Sequence, residues 1–499
     1  MKQIDSMFVK NVCGQSAMSI HEFDPIFLGR MLTAGGDRRI WVPAGGDVNV
    51  YGASPFPREM LGFAASTAND ISLDAFNHLR AVVAEWESGH ALSGAAYASA
   101  LEAMRSRIRA AYALDESVDI VFAPSGTDLE YVALHFARAR SGQPVTNILL
   151  GADEVGSGCL LSAVGRYFAT ETALVERLDK GAPVSGFEDT CVTDIAVRGV
   201  DGQSKSSADI GEAIAKATRA AHAQQRHPLA HIVHGSKTAL VLPAIATVDA
   251  LHQQFGNRLS FVVDCCQARI SPASLNAYLD RGAVVMMTGS KFIGGPPFSG
   301  FALVPQSMAT DQPLPIGFSH IFRRGEWPKD WPGCGALPTD ANPGLLLRLE
   351  AALFELDRFV ALAPDICEHV ITRFAHAARQ CADTLGARLM TSNANGADQL
   401  LESATLATLD LSVLPCQPDF ATAQRWQRVL AARGIRVGQP VKCVKLPDGR
   451  WGGTLRLSLS MPLIVALSKL DPDAVKTNLG QDMERIIAVL HPAMRLSAA

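Results

Sequence analysis

The sequence has few charged and few aromatic side chains for its length. Of its 499 residues, 19% are charged and 7% are aromatic, and the formal net charge is −4 at pH 7. It has no lysine- or arginine-rich block, and therefore lacks the basic surface that binds nucleic acid or anionic membranes. It also lacks an uncharged apolar run of about 18 residues, the length that crosses a bilayer. We therefore expect no nucleic-acid partner and no membrane partner.

The cysteines show no disulfide or metal-binding pattern. Ten are scattered along the chain without a Cys-x-x-Cys pair, and the adjacent Cys265 and Cys266 are a poor disulfide pair. This predicts reduced thiols and a cytoplasmic location. Lys2 is not followed by a long apolar stretch, so we expect no secretory signal. The thirteen histidines are also scattered, and we predict no metal site.

What the sequence does contain is a repeated alternation of strand and helix patterns. Apolar content of 48% over this length is enough for several domains with a large core. Strand patterns lie at 118–122, 146–150, 230–234, 259–263 and 283–287, and helical patterns lie at 128–139, 159–168 and 245–255. This order predicts an α/β fold with a mainly parallel sheet flanked by helices.

Two changes in pattern divide the chain into three predicted parts. Residues 1–94 are rich in glycine and proline and are expected to form an irregular arm with short helices. Residues 95–345 hold the alternation and form the predicted large domain. Residues 346–499 combine long helical patterns with strand patterns at 404–411 and 453–459, which predicts a smaller α+β C-terminal domain.

Three polar features follow predicted strands. Ser125-Gly126-Thr127 joins a strand to a helix, where small residues and free N–H groups suit a phosphate. Asp264 ends the strand pattern at 259–263, and Lys291 follows the pattern at 283–287. Each alone is compatible with an ordinary turn, a cap or a surface lysine. Together they lie where α/β sheets bind ligands and predict a pyridoxal phosphate (PLP) site, with an acid for the pyridine nitrogen and a lysine for the Schiff base.

Residues 95–490 resemble the class V aminotransferase and cysteine desulfurase superfamily of fold-type I PLP-dependent enzymes. Five short motifs carry the resemblance, and they occur in the same order as in that family. They are Ser125–Thr127, Ser236–Pro243, Val263–Ala268, Thr288–Gly294 and Thr454–Ser458. The resemblance implies the fold-type I PLP-dependent transferase fold and PLP as the cofactor.

The resemblance also implies a role for each matching residue around the cofactor. Lys291 would be the catalytic lysine that forms the internal aldimine, and Asp264 would pair with the pyridine nitrogen. Gln267 would hydrogen-bond the phenolic oxygen. The phosphate would be held by five residues of the motifs: Ser125, Gly126, Thr127, Thr288 and Ser290.

On the substrate side, the resemblance implies that Arg456 binds the α-carboxylate, which suits the planar guanidinium. Lys237 stands where the family usually has an asparagine, and it is a second candidate for substrate binding. Asn49 and Tyr51 in the arm are further candidates, with a buried structural role as the alternative. The family also implies a homodimer with shared active sites.

The reaction is less well defined than the cofactor. The resemblance implies an enzyme that acts on an amino acid through an external aldimine, as an aminotransferase or a lyase at Cα or Cβ. The alternative is a cysteine desulfurase in which Cys443 carries the persulfide, since flanking Lys442 and Lys445 would lower a thiol pKa. Segment 152–158 lacks the family's ring-stacking histidine, which disfavours the desulfurase. A noncatalytic homologue is a second alternative.

Overall fold

The computed structural model of the chain describes residues 25–64, 68–84, 92–151, 154, 159–174, 177–199, 201–390 and 399–498. The strands in these ranges are β1 (Leu61–Phe63), β2 (Asp119–Ala123), β3 (Val145–Leu150), β4 (Cys191–Ile195), β5 (His227–His234), β6 (Val241–Leu242), β7 (Ser260–Cys265), β8 (Val284–Thr288), β9 (Gly300–Val304), β10 (Arg388–Leu389), β11 (Leu406–Asp410), β12 (Ile435–Val437) and β13 (Thr454–Ser458).

The large sheet has eight strands in the order β2-β9-β8-β7-β5-β3-β4, with β6 paired to β5. Strands β4, β3, β5, β7 and β8 are parallel, and β9 lies antiparallel between β8 and β2. Strand β2 therefore runs in the same direction as β8. As a result, the carboxyl ends of β2, β8, β7 and β5 lie along one edge of the sheet.

Both faces of this sheet are buried, as its apolar strands require. On β8, Val284 and Met286 lie in one hydrophobic core, whereas Val285 and Met287 lie in another. Strand β5 also carries three buried histidines with partners inside the chain. His227 bonds Ser260 Oγ, His231 bonds Glu130 and His234 bonds the Tyr278 hydroxyl.

The helices of the described residues lie between and around these strands. They are Pro25–Leu32, Leu73–Ala84, Gly94–Tyr112, Leu129–Ser141, Cys159–Ala163, Ser207–Ala223, Ile245–Phe255, Pro272–Asp280, Pro343–Val360, Pro364–Leu385, Gln399–Ala404, Phe420–Ala432, Met461–Leu467 and Pro472–Ala498. None of these helices has the length and apolar character needed to cross a membrane.

The C-terminal part contains a second, antiparallel sheet of order β10-β11-β13. The helices Pro364–Leu385 and Pro472–Ala498 pack against each other beside it. The arm also contributes structure here, because β1 pairs in parallel with β12. The fold class predicted from the sequence is therefore confirmed, whereas the boundaries at 94/95 and 345/346 stay predictions.

Several elements differ from the sequence prediction. The helix predicted at 159–168 is wrong in length, because it ends at Ala163. Gly165 then adopts φ +67°, and a Cβ there would lie 2.4 Å from Phe187 Cβ, so the chain turns sharply against a buried ring. Strands β1, β4 and β9 and the helices Ser207–Ala223 and Pro272–Asp280 were not predicted from the sequence.

Candidate functional site

Most of the residues singled out in the sequence lie at the shared edge of the large sheet. The turn Ser125–Thr127 follows β2, Asp264 lies next to the end of β7, and Thr288 ends β8. Strands β7 and β8 pair directly, with Asp264 beside Met286 and Cys265 beside Met287. The fold therefore brings together segments separated by more than a hundred residues.

The turn at Ser125–Thr127 packs tightly against the neighbouring strand ends. A Cβ on Gly126 would lie 2.8 Å from Cys266 Sγ and 3.1 Å from Thr288 Cγ2, so only glycine fits without displacement. The Ser125 hydroxyl donates to Asp128 Oδ2 at 2.5 Å. Burial raises the pKa of Asp128 to about 6, although Arg39 and Ser125 oppose that shift. The helix Leu129–Ser141 begins directly after the turn, which therefore lies at its N-terminus.

The hydroxyl groups of Thr288 and Ser290 have partners within the chain. Thr288 Oγ1 donates to the carbonyl of Cys266 at 2.7 Å, and Ser290 Oγ donates to Thr288 Oγ1 at 3.4 Å. Both side chains are buried beside the turn. They lie close to the predicted phosphate position, and their hydroxyl hydrogens are engaged in these bonds.

Asp264 and Gln267 occupy the loop after β7. Asp264 is half-buried, and its Oδ1 accepts the backbone N–H of Cys266 at 2.9 Å. Gln267 Oε1 accepts a hydrogen bond from Arg269 Nη1 at 3.1 Å. Because the amide oxygen is used in this way, the amide nitrogen of Gln267 is the group left to donate elsewhere.

Arg269 is a buried residue that the sequence reasoning missed. It is only 1% exposed, and its guanidinium also donates to Thr405 Oγ1 and to the carbonyl of Leu459, both at 3.0 Å. Burial lowers its pKa to about 9. Arg269 thus ties the loop after β7 to the C-terminal part of the chain. The signal in the sequence that could have identified Arg269 was its position two residues after Gln267.

Lys291 lies in a loop that is fastened on several sides. Its backbone carbonyl accepts from Asn69 Nδ2 at 3.2 Å, a contact from the arm. The next residue, Phe292, bonds through its backbone to Gln267 and to Met461. The lysine side chain itself is half-buried. The loop therefore holds Lys291 between the large sheet and the C-terminal part.

Arg456 and Lys237 meet where β13 approaches the end of β5. Arg456 is 6% exposed, and it donates to the backbone carbonyls of Gln439 at 2.8 Å and Lys237 at 3.0 Å. Burial lowers the pKa of Arg456 to about 10. Burial also lowers the pKa of Lys237; the charge of Glu154 opposes this shift, and the nearby charges of Arg456 and Lys291 add to it. The three cations therefore share one region.

The two substrate-binding candidates in the arm, Asn49 and Tyr51, interact with other residues of the arm. Asn49 Oδ1 accepts the backbone N–H groups of Tyr51 at 2.9 Å and Ala53 at 3.1 Å, which is the geometry of a side chain that organises its own loop. Tyr51 is near Arg39, whose charge partly offsets the rise in the tyrosine pKa that burial causes. Arg39 itself reaches the turn at Ser125–Thr127 and was not singled out from the sequence, because no local pattern marks it.

Cys443 is not an activated thiol in this structure. It is 1% exposed and contacts the sulfur of Met390 at 3.6 Å. Burial raises its pKa to about 12, so the expectation that flanking lysines lower it is wrong. Those lysines lie against aromatic rings instead, with Lys442 Nζ 5.6 Å from the Phe420 ring centroid and Lys445 Nζ 3.4 Å from that of Trp451.

Segment 152–158, where the sequence lacks a ring-stacking histidine, lies outside the described residues apart from Glu154. Glu154 is buried and pairs with Arg198 at 2.7 Å. Among the described residues, no group of three or more His, Cys, Asp or Glu side chains is arranged to bind a metal ion.

Comparison with known proteins gives similarity in structure and none in sequence. The sequence matches no protein-family model and no curated protein. The structure is similar to ureidoglycine–glyoxylate aminotransferase from Bacillus subtilis, with a TM-score of 0.51 and 13% identity over 87% of this chain and 99% of that one. It is also similar to a NifS-like protein, with a TM-score of 0.52 and 13% identity over 84% and 99% of the two chains.

These likenesses extend over nearly the whole of both solved chains. They are too distant in sequence to carry a particular activity to this chain. The chain therefore has the same fold as the aminotransferase and the NifS-like protein.

Proposed function

We propose that this protein is a PLP-dependent enzyme that acts on an amino-acid substrate, as an aminotransferase or as a lyase at Cα or Cβ. The observation that carries the proposal is the meeting of Lys291, Asp264 and the turn Ser125–Thr127 at one edge of a sheet with this fold. When bound, PLP supplies an aldehyde that reacts with amines and a pyridine ring that withdraws electrons from the substrate Cα.

The residues at this edge fit PLP. At the turn, the backbone of Gly126 lies so close to Cys266 and Thr288 that an added Cβ would have no room. The helix Leu129–Ser141 begins directly after the turn, and its N-terminus favours an anion. The carboxylate of Asp264 would favour a protonated ring nitrogen. Gln267 would donate from its amide nitrogen, because Arg269 fixes its oxygen. Each polar group of the cofactor thus has a candidate partner.

The remaining charges suit an amino-acid substrate. Arg456 is buried, and in the hydrogen bonds described above its guanidinium donates only to backbone carbonyl groups. A substrate carboxylate would give it an anionic partner. Lys237 adds a second positive group beside it. Lys291 Nζ would take up and return the proton at the substrate Cα. We propose this division of roles for Arg456 and Lys291.

The desulfurase alternative is disfavoured by Cys443. Burial raises the pKa of this thiol to about 12, so the thiolate that attacks sulfur is disfavoured at pH 7. A persulfide carrier must also reach the substrate, and Cys443 is buried among Val441, Val444 and Met390. We therefore place aminotransferase or lyase chemistry ahead of sulfur transfer. We also propose a homodimer in the cytoplasm, on the basis of the sequence resemblance.

The test is a spectral titration of the purified protein with PLP, followed by single amino acids. We expect visible absorbance that depends on Lys291, with Lys291→Ala as the variant and Lys329→Ala, at an exposed lysine, as the matched control. Conversion of the cofactor to the pyridoxamine form would identify an aminotransferase. Release of a keto acid with ammonia, or of carbon dioxide, would identify a lyase or decarboxylase.

Three other outcomes are informative. A wild-type protein that stays colourless with PLP would contradict the proposal. A protein that binds PLP through Lys291 and responds to no amino acid would favour the noncatalytic homologue. Formation of alanine from cysteine, with sulfide released when dithiothreitol is added as reductant, would restore the desulfurase alternative if it is lost in Cys443→Ser.

A further inference from the structure

Arg39 reaches the predicted phosphate turn from the N-terminal arm. Its Nη2 lies 3.2 Å from Ser125 Oγ, and its Nη1 lies 3.4 Å from Thr127 Oγ1. More than eighty residues separate Arg39 from this turn in the sequence. The arm therefore folds back onto the edge of the sheet where the site lies.

The guanidinium of Arg39 is held in a defined position. It bonds to Asp37 through Nε at 2.9 Å and through Nη2 at 2.7 Å. It also lies over two aromatic rings, with its Cζ 4.7 Å from the centroid of Phe168 and 4.8 Å from that of Phe298. Such stacking and a bidentate carboxylate limit the rotamers of a side chain that is otherwise flexible.

The negative charges around the turn explain why the position of Arg39 matters for binding an anion. Asp37 and Asp128 are both buried next to it, and two carboxylates would repel an incoming phosphate. Arg39 is a cation that bonds both Asp37 and the turn hydroxyls of Ser125 and Thr127. A guanidinium with five N–H donors can serve Asp37 and an additional anion together.

We propose that Arg39 is a phosphate-binding residue of the cofactor site, so that the N-terminal arm forms part of that site. This inference rests on the proposed function, because the phosphate is that of PLP. It adds a residue from outside the five motifs, and it gives the arm a role in holding the cofactor as well as in packing.

The test compares PLP with pyridoxal, which lacks the phosphate, in binding to apoprotein in phosphate-free buffer. Loss of one charge-assisted contact should weaken PLP binding by about 10- to 100-fold in Arg39→Ala. Pyridoxal affinity should be unchanged in the same variant. Arg39→Lys keeps the charge without the fork and should lie between wild type and Arg39→Ala.

Arg38→Ala is the matched control, because the neighbouring Arg38 is 63% exposed and pairs with Glu171 rather than with the turn hydroxyls. It should bind both ligands as wild type does. Equal PLP affinity in wild type and Arg39→Ala would overturn the inference, and so would an equal loss for PLP and pyridoxal, which indicates a structural role. Failure of wild type to bind PLP would instead overturn the proposed function.

Discussion

Gly126 is the position where the account of the site can be tested with the least ambiguity. Its backbone lies so close to the ends of β7 and β8 that an added Cβ would stand 2.8 Å from Cys266 Sγ and 3.1 Å from Thr288 Cγ2. Both neighbours are buried, so neither can move into solvent. Gly126→Ala must therefore push the turn away from the strand ends.

Overpacking of this kind costs about 1–3 kcal/mol of folding free energy. We expect Gly126→Ala to lose stability in that range in chemical denaturation of the apoprotein, and to bind PLP more weakly than wild type. Gly480→Ala is the matched control, because the residue is inside a helix and no heavy atom beyond the neighbouring residues and backbone of that helix lies within 4 Å of a Cβ there. That variant should gain about 0.5–1 kcal/mol.

A second substitution isolates the clash. In Gly126→Ala/Cys266→Ala the sulfur is gone, and the nearest atom of residue 266 is its Cβ at 3.8 Å, an ordinary contact. The double variant should be about 1 kcal/mol more stable than the sum of the two single changes predicts. If Gly126→Ala is as stable as wild type, or if the two changes are additive, the turn does not pack on the strand ends as described.

Three further predictions concern other parts of the site. Cys443→Ser should retain amino-acid turnover within about twofold of wild type, measured by product release, because the thiol is buried and its pKa is raised to about 12. Arg456→Lys should raise KM for the amino acid about tenfold or more by losing the bidentate fork, and unchanged steady-state kinetics would contradict the assigned role. Burial lowers the pKa of His231, but the charges of Glu130 and Asp264 outweigh burial and the pKa is raised overall. The stability that the His231–Glu130 pair contributes is therefore complete below about pH 6.5 and declines as the pH rises above that value. His231→Gln should flatten that part of the stability–pH curve.

The sequence predicted five of the eight strands of the large sheet, β2, β3, β5, β7 and β8, because their residues read as apolar runs. Strand β8 and its neighbour β7 were recognisable in this way, and so were Asp264 and Lys291 at their ends. Strand β4 was missed because four of its five residues are half-exposed or exposed, and they include Thr193 and Asp194. Strand β1 was missed because it has three residues and depends on β12 for its pairing.

In the candidate site too, the sequence identifies residues within short motifs and misses those that only the fold brings together. Residues within short motifs, such as Gln267 and Thr288, lie at the edge predicted for them. Arg39 belongs to no motif, and only the folding of the arm brings it to Ser125. Burial likewise sets the pKa of Cys443, and local sequence shows its lysine neighbours and not the side chains that enclose it.

The most direct test of the central claim is the chemical identity of the residue that binds the cofactor. Wild-type protein incubated with PLP and reduced with borohydride should carry the cofactor on the peptide that contains Lys291, as found by peptide mass mapping. Lys291→Ala should carry none, while Lys329→Ala should be labelled as wild type is. Labelling at another lysine, or undiminished labelling of Lys291→Ala, would contradict the account.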